Sequence, residues 1–255
     1  MKQENTTEAA KSVNPDEIAH FSAMADTWWD PNGPFKPLHH LNPTRIEFVR
    51  GQICRHFDRD PNSETPLQGL RILDIGCGGG LLSEPMARLG AAITGADAAE
   101  KNIKTASIHA EKMGLDIDYR HVSAEELAEQ GEKFDVILNM EVIEHVADIS
   151  SFLDACYLLL KENGCMTLST INRTVKSYAM AIIGAEYVLR WLPVGTHDWQ
   201  KFLKPSELTA HARQSGFSIT CMNGMLYNPV STKWSLDDQD FTVNYVALAV
   251  KSQNG

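Results

Sequence analysis

The sequence predicts an α/β fold: a doubly wound, mostly parallel seven-stranded sheet, with an N-terminal helical extension and an inserted segment after strand five. Three observations predict it. A short apolar, strand-like run, Leu70, Ile72, Leu73 and Ile75, stops at a glycine cluster, Gly76, Gly78, Gly79 and Gly80. A helical pattern follows at once, with Leu81, Leu82, Met86 and Leu89 on one face and Gly90 as its stop. Strand-like and helix-like stretches then alternate along the chain. At 255 residues the chain holds one such domain with extensions, and it shows no internal repeat or low-complexity segment.

Residues 1–13 are polar and are expected to form a disordered tail, leaving 14–255 as a single domain. A helix is expected from Asn14, which can cap it. Pro15 suits the first turn, and Asp16 and Glu17 favour its dipole. Ile18, Phe21, Met24, Ala25 and Trp28 make an apolar stripe, read here as packing. From Trp28 to Arg45, four prolines, a glycine and two tryptophans argue against regular structure. A second helix is expected from Thr44 to about Arg55, and Asp58–Gly69 is a polar linker. These pieces, 14–69, form the N-terminal extension.

The core elements follow. Ala91–Ala96 reads as strand two, Glu100–Met113 as a helix stopped by Gly114, and Ile117–Val122 as strand three. Phe134–Asn139 is strand four, Lys161–Gly164 a turn, and Cys165–Ser169 strand five. Gly216–Met222 and Phe241–Val250 are the expected closing strands, the last pair antiparallel. Between them, 170–205 is too long for a simple crossover. Ser177–Pro193 is apolar apart from Glu186 and Arg190, yet too short to span a bilayer. A buried helix, a lid over a greasy channel and an interfacial membrane helix all remain open for it.

Bulk properties narrow the function. A net charge of −10 disfavours a broad nucleic-acid footprint. The five cysteines are scattered without a C-x-x-C pair, which suits reduced thiols in a cytosolic enzyme. The start lacks the apolar core of a secretory signal.

The glycine turn distinguishes between ligands. The dinucleotide pattern G-x-G-x-x-G fails from Gly76, where Leu81 takes the third place, and from Gly78, where Ser83 does. What fits is D-x-G-x-G-x-G: Asp74, Gly76, Gly78 and Gly80. A carboxylate there repels a pyrophosphate and suits a cationic ligand. S-adenosylmethionine carries an ammonium and a sulfonium and no phosphate. Asp97 lies about twenty residues beyond the glycines, where an acid accepts ribose hydroxyls. This segment resembles motif I of the Rossmann-like class I methyltransferases. Such enzymes often carry an acid after strand three, near the adenine; here Ser123, Ala124 and Glu125 are all candidates.

The run W-W-D-P-N-G-P-F-K-P-L-H-H-L-N-P-T-R, Trp28–Arg45, resembles the N-terminal hallmark of the ubiquinone-biosynthesis O-methyltransferases, and the likeness extends to Leu226–Pro229. The resemblance implies methylation of the phenolic hydroxyls of polyprenylated catechol-type rings, at the 2-polyprenyl-6-hydroxyphenol and 3-demethylubiquinol steps. It implies that Arg45 binds the cofactor carboxylate and that Met140 contacts the cofactor. It also implies a cytoplasmic enzyme, peripheral at the inner face of the membrane, that meets membrane lipid and other ubiquinone-biosynthesis enzymes. A methyltransferase for another small phenol and a non-enzymatic cofactor- or lipid-binding protein are the rivals.

Glu141, Glu144 and His145 follow strand four, where ligands of such sheets sit. On a helix they would share one face. Three roles compete. The triplet can hold a divalent cation, Mg²⁺ before Mn²⁺ or Zn²⁺, and the resemblance implies metal binding at these positions. His145 can instead take a phenolic proton, oriented by Glu144 or Glu141. The third role is structural.

Overall fold

The computed structural model describes residues 12–180, 198–229 and 231–252. Most of the apolar stretch Ser177–Pro193 therefore lies outside the described residues, as does the tail as far as residue 11.

Among the described residues eight strands form one sheet, in the order β3-β2-β1-β4-β5-β8-β6-β7. β1 (Arg71–Ile75), β2 (Ala92–Asp97), β3 (Asp118–His121), β4 (Phe134–Met140) and β5 (Leu160–Ile171) are parallel, and β8 (Asn244–Lys251) runs antiparallel to β5. β6 (Phe217–Asn228) pairs with β8 and then with β7 (Lys233–Asp237), both antiparallel. β7 is the strand beyond the seven expected. It exists because β6 continues past Met222 and folds back on itself as a hairpin, pairing Tyr227 with Trp234 and Gly224 with Asp237. The Lys161–Gly164 turn is a bulge inside β5: Phe134 faces Leu160, but Val136 already faces Cys165.

Alternation along each strand sends side chains to two cores. Leu73, Ile137, Met166 and Tyr245 meet Leu127 of α5 (Ala124–Glu129), Phe152 of α6 (Ile149–Leu159) and Leu208 of α7 (Pro205–Gln214). Ile72, Val136, Leu138 and Cys165 face the other way, onto Val49 and Ile53 of α2 (Lys36–His56) and Met86 of α3 (Ser83–Arg88). α4 (Glu100–Lys112) packs beside β2 and β3. The five cysteines form no disulfide.

The N-terminal extension departs from expectation in two places. Ser12 and Val13 are ordered: the Ser12 carbonyl accepts from the Ala147 backbone, and its own N–H donates to Glu125. The expected loop up to Arg45 also turns helical early, since α2 begins at Lys36. Pro37 falls in its first turn, where a missing N–H breaks nothing. Pro43 lies inside and forfeits a helical bond, a cost of about 3 kcal/mol. Burial of Leu41, Thr44, Arg45 and Phe48 on the same helix offsets it. α1 (Pro15–Met24) is capped by Asn14 as expected, and none of its residues is fully buried.

Candidate active site

The chain leaves β1 for β2 and β3 on one side of the sheet and returns to β4 on the other. The crevice at the carboxyl ends of β1 and β4 is thus a topological switch point, where open α/β sheets bind ligands. A cavity opens there. The glycine turn after β1, Asp97 at the end of β2, Met140 at the end of β4 and the turn after it all line the cavity, and α1 and α2 cover it.

The glycines are there for contact as well as conformation. Gly76 and Gly78 have φ of +66° and +55°. A Cβ on Gly76 would stand 2.6 Å from Val142, and one on Gly78 2.4 Å from Trp28. Trp28 stacks on Phe35 at 3.6 Å and donates its indole N–H to Asn102 at 2.9 Å, so the Trp28 region is folded over the glycine turn.

Asp97 lines the cavity and is tied down by three donors. The backbone N–H groups of Gly78 and Ala99 reach it at 2.9 and 2.7 Å, and the Asn102 amide at 3.2 Å. A carboxylate accepts about four hydrogen bonds, so capacity for a hydroxyl remains. Burial pushes its carboxyl above the usual range.

Asp74 is a correction. It lies behind the turn, almost fully buried, and takes the Ser83 hydroxyl at 2.5 Å. It does not line the cavity. Its side chain ties β1 to the start of α3 and so shapes the glycine turn from below. Burial pushes it up to about 7. Of the candidates after strand three, Ser123 caps α5 in a capping box with Glu126, and Glu125 binds Ser12. Neither they nor Ala124 lines the cavity.

Arg45, on α2, reaches in from the far side. Its guanidinium is buried; Nη2 pairs with Glu141 at 3.0 Å, and Nε has no hydrogen-bond partner. That unpaired donor and the spare acceptor capacity of Asp97 are what S-adenosylmethionine would require, an anchor for its carboxylate and one for its ribose.

The triplet after β4 is not helical. Glu141 adopts φ +57° and stays on the β4–β5 ladder through its N–H to Ser169. The chain then turns, with the His145 N–H on the Val142 carbonyl. The side chains accordingly part. Glu141 accepts from the Ser169 hydroxyl at 2.7 Å and pairs with Arg45. Glu144 is buried and accepts from Thr170 at 2.8 Å. His145 meets Glu17 of α1, Nδ1 to carboxylate, at 3.1 Å. Among the described residues no three His, Cys, Asp or Glu side chains converge to hold a metal ion. The residues as arranged do not fit the expected Mg²⁺, and the expectation that Glu144 or Glu141 orients His145 also fails: Glu17 does so.

Electrostatics sharpen these roles. Burial, reinforced by the Glu141 charge, raises Glu144 to about 7. Burial pulls His145 down, but its hydrogen bond to Glu17 and the charges of Glu144 and Glu17 outweigh it, and the net direction is up. The His145 bond holds Glu17 down at about 2.

Comparison with known proteins now bears on this geometry. A methyltransferase-domain family model matches residues 45–222. The chain is 60% identical over 241 residues to the ubiquinone biosynthesis O-methyltransferase of Ruegeria sp. (strain TM1040), covering 94% of this chain and 98% of that one. It is 57% identical over 243 residues to the enzyme of that name from Cereibacter sphaeroides (strain ATCC 17025 / ATH 2.4.3), covering 95% and 98%.

The chain belongs to the ubiquinone biosynthesis O-methyltransferase family.

Its fold is shared with magnesium protoporphyrin IX methyltransferase from Synechocystis PCC 6803, solved with bound SAH. The TM-score is 0.61 and the identity 21%, over 93% of this chain and 94% of that one. The same protein with bound SAM gives 0.59 and 20%, over 94% and 99%. This is an S-adenosylmethionine-dependent methyltransferase with the class I fold. No helix among the described residues is long and apolar enough to cross a membrane.

Of the residues singled out in this methyltransferase's sequence, Arg45, Gly76, Gly78, Asp97, Met140, Glu141, Glu144 and His145 line one cavity, and Asp74 supports it from outside. Glu17, Trp28 and Asn102 line it too and were missed as site residues. The apolar stripe of α1 is likewise more than packing, because Ile18, Phe21 and Met24 form the cavity wall. Glu17 carried a signal: it stands one turn before Phe21 on the same helix face.

Proposed function

We propose that this methyltransferase transfers a methyl group from S-adenosylmethionine to a phenolic hydroxyl of a polyprenylated catechol-type ring in ubiquinone biosynthesis. The observation that carries the reading is the sharing of one cavity by a cofactor end and an acid–base end. Arg45, Gly78 and Asp97 form the first; His145 and Glu144 form the second. The apolar wall of Ile18, Phe21, Met24 and Leu38 suits a hydrophobic acceptor ring and excludes water.

The bound cofactor supplies a methyl group on a sulfonium, ready for in-line displacement. The protein aligns the acceptor and makes its phenolate. Arg45 holds the cofactor carboxylate and Asp97 the ribose, with Met140 against the adenosyl group. His145 takes the phenolic proton at Nε2. With S-adenosylmethionine bound, the phenolate would take the methyl group and the sulfide would leave with the carbon–sulfur pair; His145 returns the proton to solvent. Glu144, when ionised, favours the positive ring. No step is routed through a metal.

The test is radiolabelled methyl transfer to short-chain analogues of 2-polyprenyl-6-hydroxyphenol and 3-demethylubiquinol, with and without chelator. Transfer to both that survives the chelator is expected. Cofactor binding without transfer to either would overturn the acceptor assignment, and transfer abolished by the chelator would overturn the metal-free step.

A further inference from the structure

We propose that Glu17 is a positioning residue for methyl transfer: its carboxylate, carried in by α1, sets the His145 ring so that Nε2 faces the acceptor hydroxyl. This rests on the reading of His145 as the group that takes the phenolic proton.

The geometry restrains both partners. One Glu17 oxygen lies 3.1 Å from His145 Nδ1, and the other receives the Lys201 ammonium at 2.8 Å. The carboxylate is therefore held at both ends and has little freedom to rotate. It can only accept, so it places the ring proton on Nδ1 and leaves the lone pair of the neutral ring on Nε2. No second hydrogen bond to that ring occurs among the described residues, and His145 lines the cavity. Phe21, one turn along α1 from Glu17, meets the ring edge-on at 5.2 Å and 89° and fixes its tilt. One helix thus supplies both restraints on the imidazole. The nearer carboxylates in sequence are engaged elsewhere, Glu141 with Arg45 and Ser169, Glu144 with Thr170.

The pair is not sealed in the core: the side chains keep 17% exposure for His145 and 21% for Glu17, and both residues line the cavity. Its effect is therefore not confined to stability. A carboxylate on the far nitrogen of a proton-accepting histidine does more for the reaction, because it holds the tautomer and stabilises the ring once it is positive.

The experiment uses the full chain with S-adenosylmethionine and a short-chain prenylated catechol, and compares Glu17→Gln, Glu17→Ala, His145→Ala, the Glu17→Gln/His145→Ala double variant and Asp16→Asn. His145→Ala is expected to lower kcat by about a hundredfold and Glu17→Gln by about tenfold, with cofactor Kd within about threefold of the parent. The double variant should be no slower than His145→Ala. Asp16→Asn removes a neighbouring acid from the exposed first turn of α1 and should leave kcat within about twofold, which separates helix-end charge from the Glu17 contact. In ¹⁵N-histidine spectra at about pH 9, His145 should be the Nδ1–H tautomer in the parent and a mixture in Glu17→Ala.

If His145→Ala is slow but both Glu17 variants keep the parent kcat, or if the double variant loses the product of the two single losses, the role of Glu17 is overturned and that of His145 stands. If His145→Ala itself keeps the parent kcat, the underlying reading falls. An unchanged tautomer in Glu17→Ala also overturns the proposal, by a route that needs no turnover.

Discussion

Arg45 and Glu141 form an ion pair of 3.0 Å inside the cleft, with side chains only 6% and 16% exposed. The pair occupies the place where the cofactor carboxylate is proposed to bind. Glu141 is therefore both the counter-ion of Arg45 in a largely enclosed site and a competitor for the incoming carboxylate.

Two substitutions separate those effects. Arg45→Met should weaken cofactor binding by about 10- to 100-fold, the loss expected for a charge-assisted hydrogen bond. Glu141→Gln should leave the affinity unchanged or raise it, because the guanidinium is released. Isothermal titration with S-adenosylhomocysteine reads both. An equal loss in the two variants would mean that Glu141 helps to build the anchor.

Gly78→Ala tests the tight turn. The residue has φ +55° and would drive a methyl into Trp28 at 2.4 Å. Left-handed backbone alone costs an alanine about 1–2 kcal/mol. Gly114→Ala has a similar φ of +66° with nothing within 4 Å and isolates that backbone cost. Chemical denaturation should show the Gly78 variant losing clearly more stability than the Gly114 variant, with altered tryptophan fluorescence. Equal losses would mean that Trp28 moves aside freely.

Asp74 gives stability a pH dependence of uncommon sign. Burial raises its folded-state pKa to about 7, above the unfolded value. Its contribution to stability is thus present below the unfolded pKa and is lost as pH rises toward 7. Asp74→Asn removes that loss. The Tm of the variant relative to the parent should improve between about pH 4 and pH 8. A constant difference would show that the carboxyl ionises as freely folded as unfolded.

Catalysis should have an acid limb set by His145. The ring must be neutral to accept a proton, and its pKa stands above the ordinary imidazole value. Activity should therefore fall as pH drops through a point above about 6.5. Glu17→Gln removes the charge that helps to raise the ring and leaves only a neutral acceptor, so its acid limb should move to lower pH, though its plateau is lower. Initial rates across the pH range, at saturating cofactor, read both effects.

The sheet centre was legible because its causes are local. The apolar run at Leu70–Ile75, the glycines after it and the stop at Gly90 each act within a few residues. The same holds for Asp97, whose distance from the glycines places it at the tip of β2. β7 was not legible, since Lys233–Asp237 alternates over five residues only, and Trp234 and Leu236 find apolar partners, Leu41 and Phe48, far away in the chain. The early start of α2 was hidden by prolines whose cost is offset by burial of residues further along that helix. In the site, Arg45 was found through a motif rather than through its chemistry. Glu17 read as an ordinary helix-end acid because its partner lies 128 residues away. Asp74 read as a ligand because periodicity assigns it to a strand without saying that Ser83 will take its carboxylate.

β8 follows both of its neighbours in the chain yet lies between them, pairing with β5 from Cys165 to Ile171 and with β6 from Phe217 to Met225. The β6–β7 hairpin therefore has no place on the sheet of its own: β8 alone joins it to β5. A premature stop before Asn244 would spare every residue of the cavity and still leave two bare strand edges, the kind of surface on which chains aggregate.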